Sequence, residues 1–468
     1  MIPVLPPDES KRLDDEAGNE LGALMERAGH AVAMAVLRAG FGYGTSAVLL
    51  AGPGNNGGDA WVAARHLRRH GVGATVVPFA DPTTAPAREA ARTAVAAGVA
   101  VREWSAPWPA DVLVDGLFGV GLTRPLPPEI IPWTDHAGFV VSIDLPSGLD
   151  AATGEVLGAA FTADVTVTFH APKTGLLVGS GPDHTGLLEI ADIGLTGGTP
   201  ELVWWTGADA VVPKRGRRAH KWTSGSVLVV GGAPGMTGAP VLAATAALRA
   251  GAGAVSLATP GGLPVHAPAA LLRRRVGAAQ RFEAGDAAGL LEGAGRYDIL
   301  ALGPGLGPDV DEFVNTLADG WQGPLVLDAD GITAVDLGVV EERSHPTVLT
   351  PHAGEFFRLT GETPTHQAAR ELAAGTGSTV LLKGSPTFVA ETAVTRLVTT
   401  GGRELATIGT GDVLTGIVSA LLARGLPPGE AAATAAYWHG LAGRRLAERG
   451  VLTADDLVAT VGSFVPTV

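Results

Sequence analysis

The chain has 468 residues, 46% hydrophobic and 17% charged, with a net charge of −14, which is long enough for two or three domains that each bury a core. The acidic balance argues against a general nucleic-acid binder, which needs a basic face. It leaves anionic ligands open, because backbone amides at helix N-termini bind phosphate without net positive charge. With no cysteine in the chain, disulfides and thiolate metal sites are excluded.

The opening stretch "MIPVLPPDESKRLDDE" has no apolar core and no basic flank, so no signal peptide is expected. Short β-branched runs then alternate with Ala/Leu-rich helical stretches. In the first half the runs are "AVLL" (47–50), "ATVVPF" (74–79), "DVLVDGLF" (111–118), "FVVSIDLP" (139–146) and "DVTVTF" (164–169), with helices predicted at "ARHLRRHG" and "REAARTAVAAGV". Near-continuous apolar strands separated by helices predict buried parallel strands in an α/β fold. The irregular, locally basic stretch 200–222 predicts a boundary. Beyond it the pattern restarts with "GSVLVVGG", "AVSLAT", "DILALGPG", "PLVLDADG", "TVLTPH" and "TVLLKG". The charge-free stretches 222–248 and 250–272 are broken by Gly and Pro, and predict strand–loop–helix pieces rather than membrane spans. A soluble, cytoplasmic protein is expected. Most Gly, Asp and Asn fall in the loops after strands, the edge where open α/β sheets bind ligands.

The first such loop, "AGPGNNGGDA" (51–60), carries the letters G-x-G-x-x-G at Gly52, Gly54 and Gly57. Pro53 removes a backbone N–H that a pyrophosphate loop would use, so a dehydrogenase fingerprint is disfavoured. Asn55, Asn56 and Asp59 instead offer side-chain oxygens, suited to hard cations or sugar hydroxyls. A plain strand–helix turn with Asp near the helix start remains the alternative. Two further strand ends repeat the chemistry: "VDGLFGVGLTRPLP" (114–127) places Asp115 before a glycine loop, and "VSIDLPSGLD" (141–150) places Asp144 and Ser147.

Together "LMERAG" (24–29), "GPGNNGGD" (52–59), "DGLFGVGL" (115–122) and "SIDLPSGLD" (142–150) resemble the NAD(P)H-hydrate epimerase family over about residues 10–210. Ala60 stands where that family usually has glycine. The resemblance implies that Asn55, Asn56, Gly57, Gly58 and Asp59 contact the hydrated nucleotide. It implies a second contact stretch at Gly119, Val120, Gly121, Leu122, Thr123, Arg124 and Pro125. It further implies that Asp144 binds or acts on the hydrated ring and that Asn56, Asp115 and Ser147 hold a potassium ion.

In the second half, "ATIGTGDVLTGIVSALLARG" (406–425) sets Gly409, Gly411 and Asp412 before an apolar helix. Glycines let successive amides point at one anion, and the helix dipole adds to the attraction. A carboxylate there makes sense if Asp412 takes a proton from a hydroxyl attacking phosphorus; an ordinary N-cap aspartate is the alternative. Lys383, one of five lysines, begins the turn of "LLKGSPTFVA" (381–390). G-x-G-D before a helix resembles ribokinase-like kinases. With "VLVVGGAPGMTGAPVLAATAALRAGAG" (227–253), "LGPGLG" (302–307), "LVLDADGI" (325–332) and "LTPHAGEFFRL" (349–359), residues 214–465 resemble the ADP-dependent NAD(P)H-hydrate dehydratase family, with Ile408 where glycine is common. The resemblance implies that Ala239, Gly305, His352 and Asp412 contact the hydrated nucleotide. It places Lys383, Gly384, Ser385, Pro386, Thr387 and Gly411 on the adenosine nucleotide, with Asp412 as base. His352 read alone favours a strand-end histidine bonded to backbone; its place next to Glu355 and after a Thr-Pro turn strengthens the site reading.

The expected fold class is therefore α/β: two three-layer αβα domains, a Rossmann-like epimerase domain at 1–210 and a ribokinase-like dehydratase domain at 211–468. The expected function is bifunctional repair of hydrated NADH and NADPH, with ADP as co-substrate, potassium in the first domain and magnesium in the second by analogy. No nucleic-acid or membrane partner is expected, and the resemblance suggests a homo-oligomer. The alternatives are a ribokinase-like small-alcohol kinase with an accessory nucleotide-binding domain, and a non-catalytic sensor.

Overall fold

The computed structural model describes residues 1–214, 220–260, 267–277 and 281–464, so parts of the predicted boundary at 200–222 and of the charge-free run 250–272 lie outside the described residues. The chain divides into two compact units, Pro3–Leu202 and Met1–Ile2 with Val203–Val468. Each is a sheet covered by helices. Among the described residues, no helix is long and apolar enough to cross a membrane.

In the first unit seven strands pair in the order Ala100–Val101, Gly73–Pro78, Ser46–Ala51, Val112–Gly116, Phe139–Ile143, Val165–Phe169 and Leu187–Ala191, all parallel. The apolar runs produce this because both faces of the central strands are buried. Val48 and Leu50 join one core cluster with Val77 and Leu113, while Leu49 and Ala51 join another with Val76 and Val114. Successive side chains point to opposite faces, so a two-sided core requires an uninterrupted apolar strand. Each buried Val or Leu contributes about 1.5–3 kcal/mol, and polar groups are pushed to the strand ends.

The second unit repeats this logic. Among the described residues its sheet runs Leu202–Trp204, Thr395–Val398, Thr387–Ala390, Thr379–Leu382, Thr347–Leu349, Leu325–Leu327, Ile299–Leu302, Ser226–Val230, Ala254–Thr259 and Leu272–Arg275. Val227 and Val229 face one cluster; Leu228 and Val230 face the other. The sheet departs from the all-parallel expectation at Thr387–Ala390, which is antiparallel to both neighbours. The link 383–386 is too short for a crossover helix, so the chain must turn back as a hairpin.

The helix Thr410–Ala423, whose residues Val413 to Leu422 are all buried, packs on Gly238–Arg249. The approach is backbone to backbone: a Cβ at Gly416 would lie 2.1 Å from the Ala243 carbonyl oxygen. We expect Gly416→Leu to lower the thermal midpoint of the full chain, with a loss of about 1–3 kcal/mol or more from forced overpacking, read by calorimetry against wild type.

Candidate active sites

In the first unit, Ser46–Ala51 and Val112–Gly116 are neighbours from which the chain winds in opposite directions. The crevice at their C-terminal ends is a topological switch point, where α/β sheets hold ligands. The loop at 52–54 and the helix Asn55–Arg69 leave from the first strand. Two of its glycines are there for packing. A Cβ at Gly52 would lie 1.8 Å from the Leu117 carbonyl oxygen, and one at Gly57 would lie 1.9 Å from the Gly52 carbonyl oxygen. The glycine pattern thus lets two loops and a helix start touch.

A cavity of about 450 Å³ opens at these strand ends. Of the sequence-predicted residues, Asn55, Asn56, Asp59, Gly119, Val120, Gly121, Leu122 and Asp144 line it. Gly57 and Gly58 instead face the interior, Gly57 against Gly52 and Gly58 against Met25. Thr123, Arg124 and Pro125 are exposed beyond its wall. Asn55 Oδ1 accepts a hydrogen bond from Thr84 (2.8 Å), which fixes the loop.

Asp115 is fully buried behind this wall. It accepts from Ser147 Oγ (2.6 Å), Ser147 N (2.7 Å), Ser142 Oγ (3.1 Å) and Leu117 N (3.3 Å). Burial pushes its pKa up to about 6 against those hydrogen bonds. Among the described residues it has no cationic partner. Ser147 Oγ also accepts from Phe118 N (2.9 Å). The Asn56 amide and the Asp144 carboxylate flank Gly119, where a methyl would sit 3.7 Å from Asn56 Oδ1 and Asp144 Oδ2. Among the described residues, the buried Asn56 Nδ2 has no hydrogen-bond partner.

Asp144 follows its strand with φ at 64°, a left-handed conformation uncommon outside glycine. Its Oδ1 accepts from Lys173 Nζ, Thr168 Oγ1 (3.1 Å) and Phe169 N (3.4 Å), while Oδ2 takes none of these bonds. Sequence reading missed Lys173. Its side chain is buried, and its ammonium also donates to Thr168 Oγ1 and the Phe169 carbonyl (3.2 Å each). Its signal was available: it is one of five lysines and comes in the loop just after the strand Val165–Phe169.

In the second unit three side chains, two of them predicted, sit at the C-terminal ends of adjacent parallel strands. Lys383 follows Thr379–Leu382, His352 follows Thr347–Leu349, and Asp328 follows Leu325–Leu327. Lys383 Nζ donates to Asp328 Oδ1 (2.8 Å) and lies 3.6 Å from Glu355 Oε2. Burial pulls its pKa down, but Asp328 and Glu355 outweigh that and hold it above the ordinary lysine value. Asp328 also accepts from Thr350 Oγ1 (2.8 Å) and Thr415 Oγ1 (2.7 Å). Asp328, Glu355 and Thr415 carry roles that sequence reading did not assign.

The helix Thr410–Ala423 begins at Gly409, whose φ of 90° favours glycine. A Cβ on Gly411 would lie 3.4 Å from Lys383 Nζ, so the ammonium stands at the helix start. Asp412 lies one residue on. Burial, then the charges of Asp328 and, less strongly, Glu355, push its pKa up to about 7, with Lys383 opposing. His352 caps the helix Ala353–Thr360: its Nδ1 accepts from Gly354 N (2.9 Å) and Glu355 N (3.3 Å), and Glu355 returns the bond to His352 N (2.8 Å). Gly305 lies against Ala239, with 3.5 Å between their Cβ positions if Gly305 had one. Gly384 accepts from Thr387 Oγ1 (2.9 Å), closing the turn that holds Ser385 and Pro386. A desolvated carboxylate beside one ammonium at a helix N-terminus is built to take a proton next to a bound anion.

Two family models match the chain: one described as YjeF-related protein N-terminus at 21–175, and one as NAD(P)H-hydrate dehydratase at 227–461. The chain is 38% identical to a bifunctional NAD(P)H-hydrate repair enzyme of Thermofilum pendens, over 94% of this chain and 91% of that protein. It is 33% identical to the one from Escherichia coli, over 98% and 93%. A ribokinase-like superfamily protein from Enterococcus faecalis is 25% identical and overlays 56% of this chain and 95% of its own with a TM-score of 0.50.

The buried Asp144–Lys173 pair yields one expectation independent of any ligand. Lys173→Met leaves a mostly buried carboxylate without its cation, which costs on the order of 3 kcal/mol. Denaturant unfolding of the full chain should show the first unit weakened by that amount; a change within about 0.5 kcal/mol would refute the pairing.

Proposed function

The chain belongs to the family of bifunctional NAD(P)H-hydrate repair enzymes, and from that membership we propose how its two sites share the work. The first unit epimerises the R and S forms of hydrated NAD(P)H. The second dehydrates the S form to NAD(P)H as ADP becomes AMP and phosphate. The kinase alternative gives way, because relatives aligned over almost the whole chain are repair enzymes.

The observation that carries the dehydratase half is Asp412, raised to about 7 beside Lys383 at a helix N-terminus. Ionised Asp412 accepts the proton of the ring hydroxyl. That oxygen attacks the terminal phosphorus of ADP, and AMP leaves. The ring nitrogen lone pair then expels phosphate as a carbon–nitrogen double bond forms; the neighbouring carbon gives up a proton to the departing phosphate, and the electrons of that bond return charge to nitrogen and restore the dihydropyridine double bond. Lys383, Gly384, Ser385, Pro386, Thr387 and Gly411 face the adenosine nucleotide, the amides of the helix start and the lysine ammonium countering phosphate charge. Ala239, Gly305 and His352 face the hydrated ring nucleotide. Magnesium carried on the nucleotide phosphates would neutralise developing charge, as in phosphoryl transfer; the carboxylate of Asp330 is the hard-oxygen group suited to it.

In the epimerase half, Asp144 handles protons at the hydroxyl-bearing carbon through its free Oδ2. Asn56, Asp115 and Ser147 hold potassium. The donor set fits: a fully buried carboxylate with no cationic partner among the described residues, beside an amide and a hydroxyl oxygen, lacks one positive charge. When bound, the ion would hold the substrate loops in place and favour ionised Asp115.

Incubation with both epimers, ADP and potassium should return all of the hydrate as NADH, followed by absorbance. No recovery with ADP or ATP would sink the dehydratase assignment. Asp144→Ala should recover only the S fraction. Asp412→Asn should lower dehydration of pure S form by at least about 100-fold. Asp412 works as a base, protonated and idle below its pKa, so the wild-type rate should climb as pH rises through about 7; a rate flat from pH 6 to 8 would contradict the role.

A further inference from the structure

We propose that Asp14 is a second catalytic residue of the epimerase site, exchanging a proton with the ring hydroxyl while Asp144 serves the incoming water. The proposal rests on the epimerase reading above and adds a residue from outside the strand-end motifs. Asp14 belongs to the helix Pro7–Ala17, which supplies Ser10, Lys11, Leu13 and Asp14 to the cavity wall. Asp144 reaches the same cavity from the end of a central strand. Two carboxyl groups thus enter one 450 Å³ space from separate elements.

Inversion at a carbon that bears a hydroxyl needs this duplication. Water must leave from one face and return to the other, and one carboxyl group cannot serve both faces in one geometry. Asp144 is half committed, its Oδ1 occupied by Lys173, Thr168 and Phe169. Asp14 is uncommitted: among the described residues, no hydrogen bond or ion pair reaches its carboxyl group. Its charged surroundings are Asp15 on its own helix, with Lys11, Asp59, Asp144, His170 and Lys173 around the cavity. Burial, then the charge of Asp144, push its pKa up to about 6, with Lys173 opposing. A group there holds or releases a proton near neutrality, as an acid–base residue must. Asp59, also in the wall, is buried, and desolvation, then the charges of Asp144 and Asp14, raise its pKa well above the ordinary carboxylate value.

The step balances without any co-reactant. Neutral Asp14 gives its proton to the ring hydroxyl, the carbon–oxygen bond breaks, and water departs as the ring nitrogen lone pair forms a carbon–nitrogen double bond. Water adds to the opposite face, the π electrons return to nitrogen, and Asp144 takes the released proton. The reverse epimerisation runs with the two carboxyl groups exchanged in state, and exchange with solvent resets them.

The test uses the full chain with purified epimers, ADP and potassium. NADH from pure S form reports dehydration alone, and NADH from pure R form reports epimerisation followed by dehydration. Asp14→Asn should slow recovery from R form about 100-fold or more while leaving recovery from S form unchanged. Asp14→Glu, which keeps a carboxyl group, should restore at least about a tenth of the wild-type rate. The wild-type R-form rate should inflect near pH 6, and Asp14→Asn should lose that inflection. An Asp14→Asn rate within about threefold of wild type, or an unchanged inflection, overturns the proposal. So does a loss in Asp14→Asn that comes with a lowered melting temperature and is not rescued by Asp14→Glu. If wild type itself recovers nothing from R form, the epimerase reading falls instead.

Discussion

The central strands of each sheet are buried on both faces, and that leaves unpaired carboxylates little room except at the strand ends. Val48 through Ala51 and Val227 through Val230 feed alternate residues into opposite cores, so any carboxylate in mid-strand would lose its water with no partner to replace it. The carboxylates instead collect where strands end and loops begin. Asp115, Asp144 and Asp328 all stand there, and both sites grow from that restriction.

The two sites solve the same electrostatic problem with the same shortage of cations. Around Lys173 lie Asp14, Asp59 and Asp144; around Lys383 lie Asp328, Asp330, Glu355 and Asp412. In each, one carboxylate holds the ammonium firmly, Asp144 in the first and Asp328 in the second. Asp14, Asp59 and Asp412 sit in desolvated space with too little positive charge, and their proton affinity rises. Asp14 at about 6 and Asp412 at about 7 are the surplus members of otherwise paired clusters. An overall charge of −14 is therefore compatible with nucleotide ligands, since helix amides carry much of the anion binding.

Much of this was legible in the sequence because it is local. The apolar runs marked the parallel strands, and the glycine-bearing loops marked their ligand edge. The letters of "AGPGNNGGDA" were also legible, although Gly52 and Gly57 answer to backbone crowding at Leu117 and Gly52 rather than to a pyrophosphate. What stayed hidden is what folding brings from elsewhere. Lys173 meets Asp144 only because Val165–Phe169 pairs beside Phe139–Ile143. Asp14 lies on a helix with no motif of its own. Thr387–Ala390 was lost inside a loop reading because a four-residue strand in a hairpin has no periodicity to announce it.

The contact between Gly416 and the Ala243 carbonyl reaches beyond stability. The helix Thr410–Ala423 carries Gly411 and Asp412 at its start, and Gly238–Arg249 carries Ala239 at its own. At Gly416 the crossing is limited by the Ala243 main chain and the Ala246 methyl, so a larger side chain there must push one helix start away from the other. Change is freer at the outer surface, as at exposed Ile408, where no neighbour sets the spacing of the two helix starts.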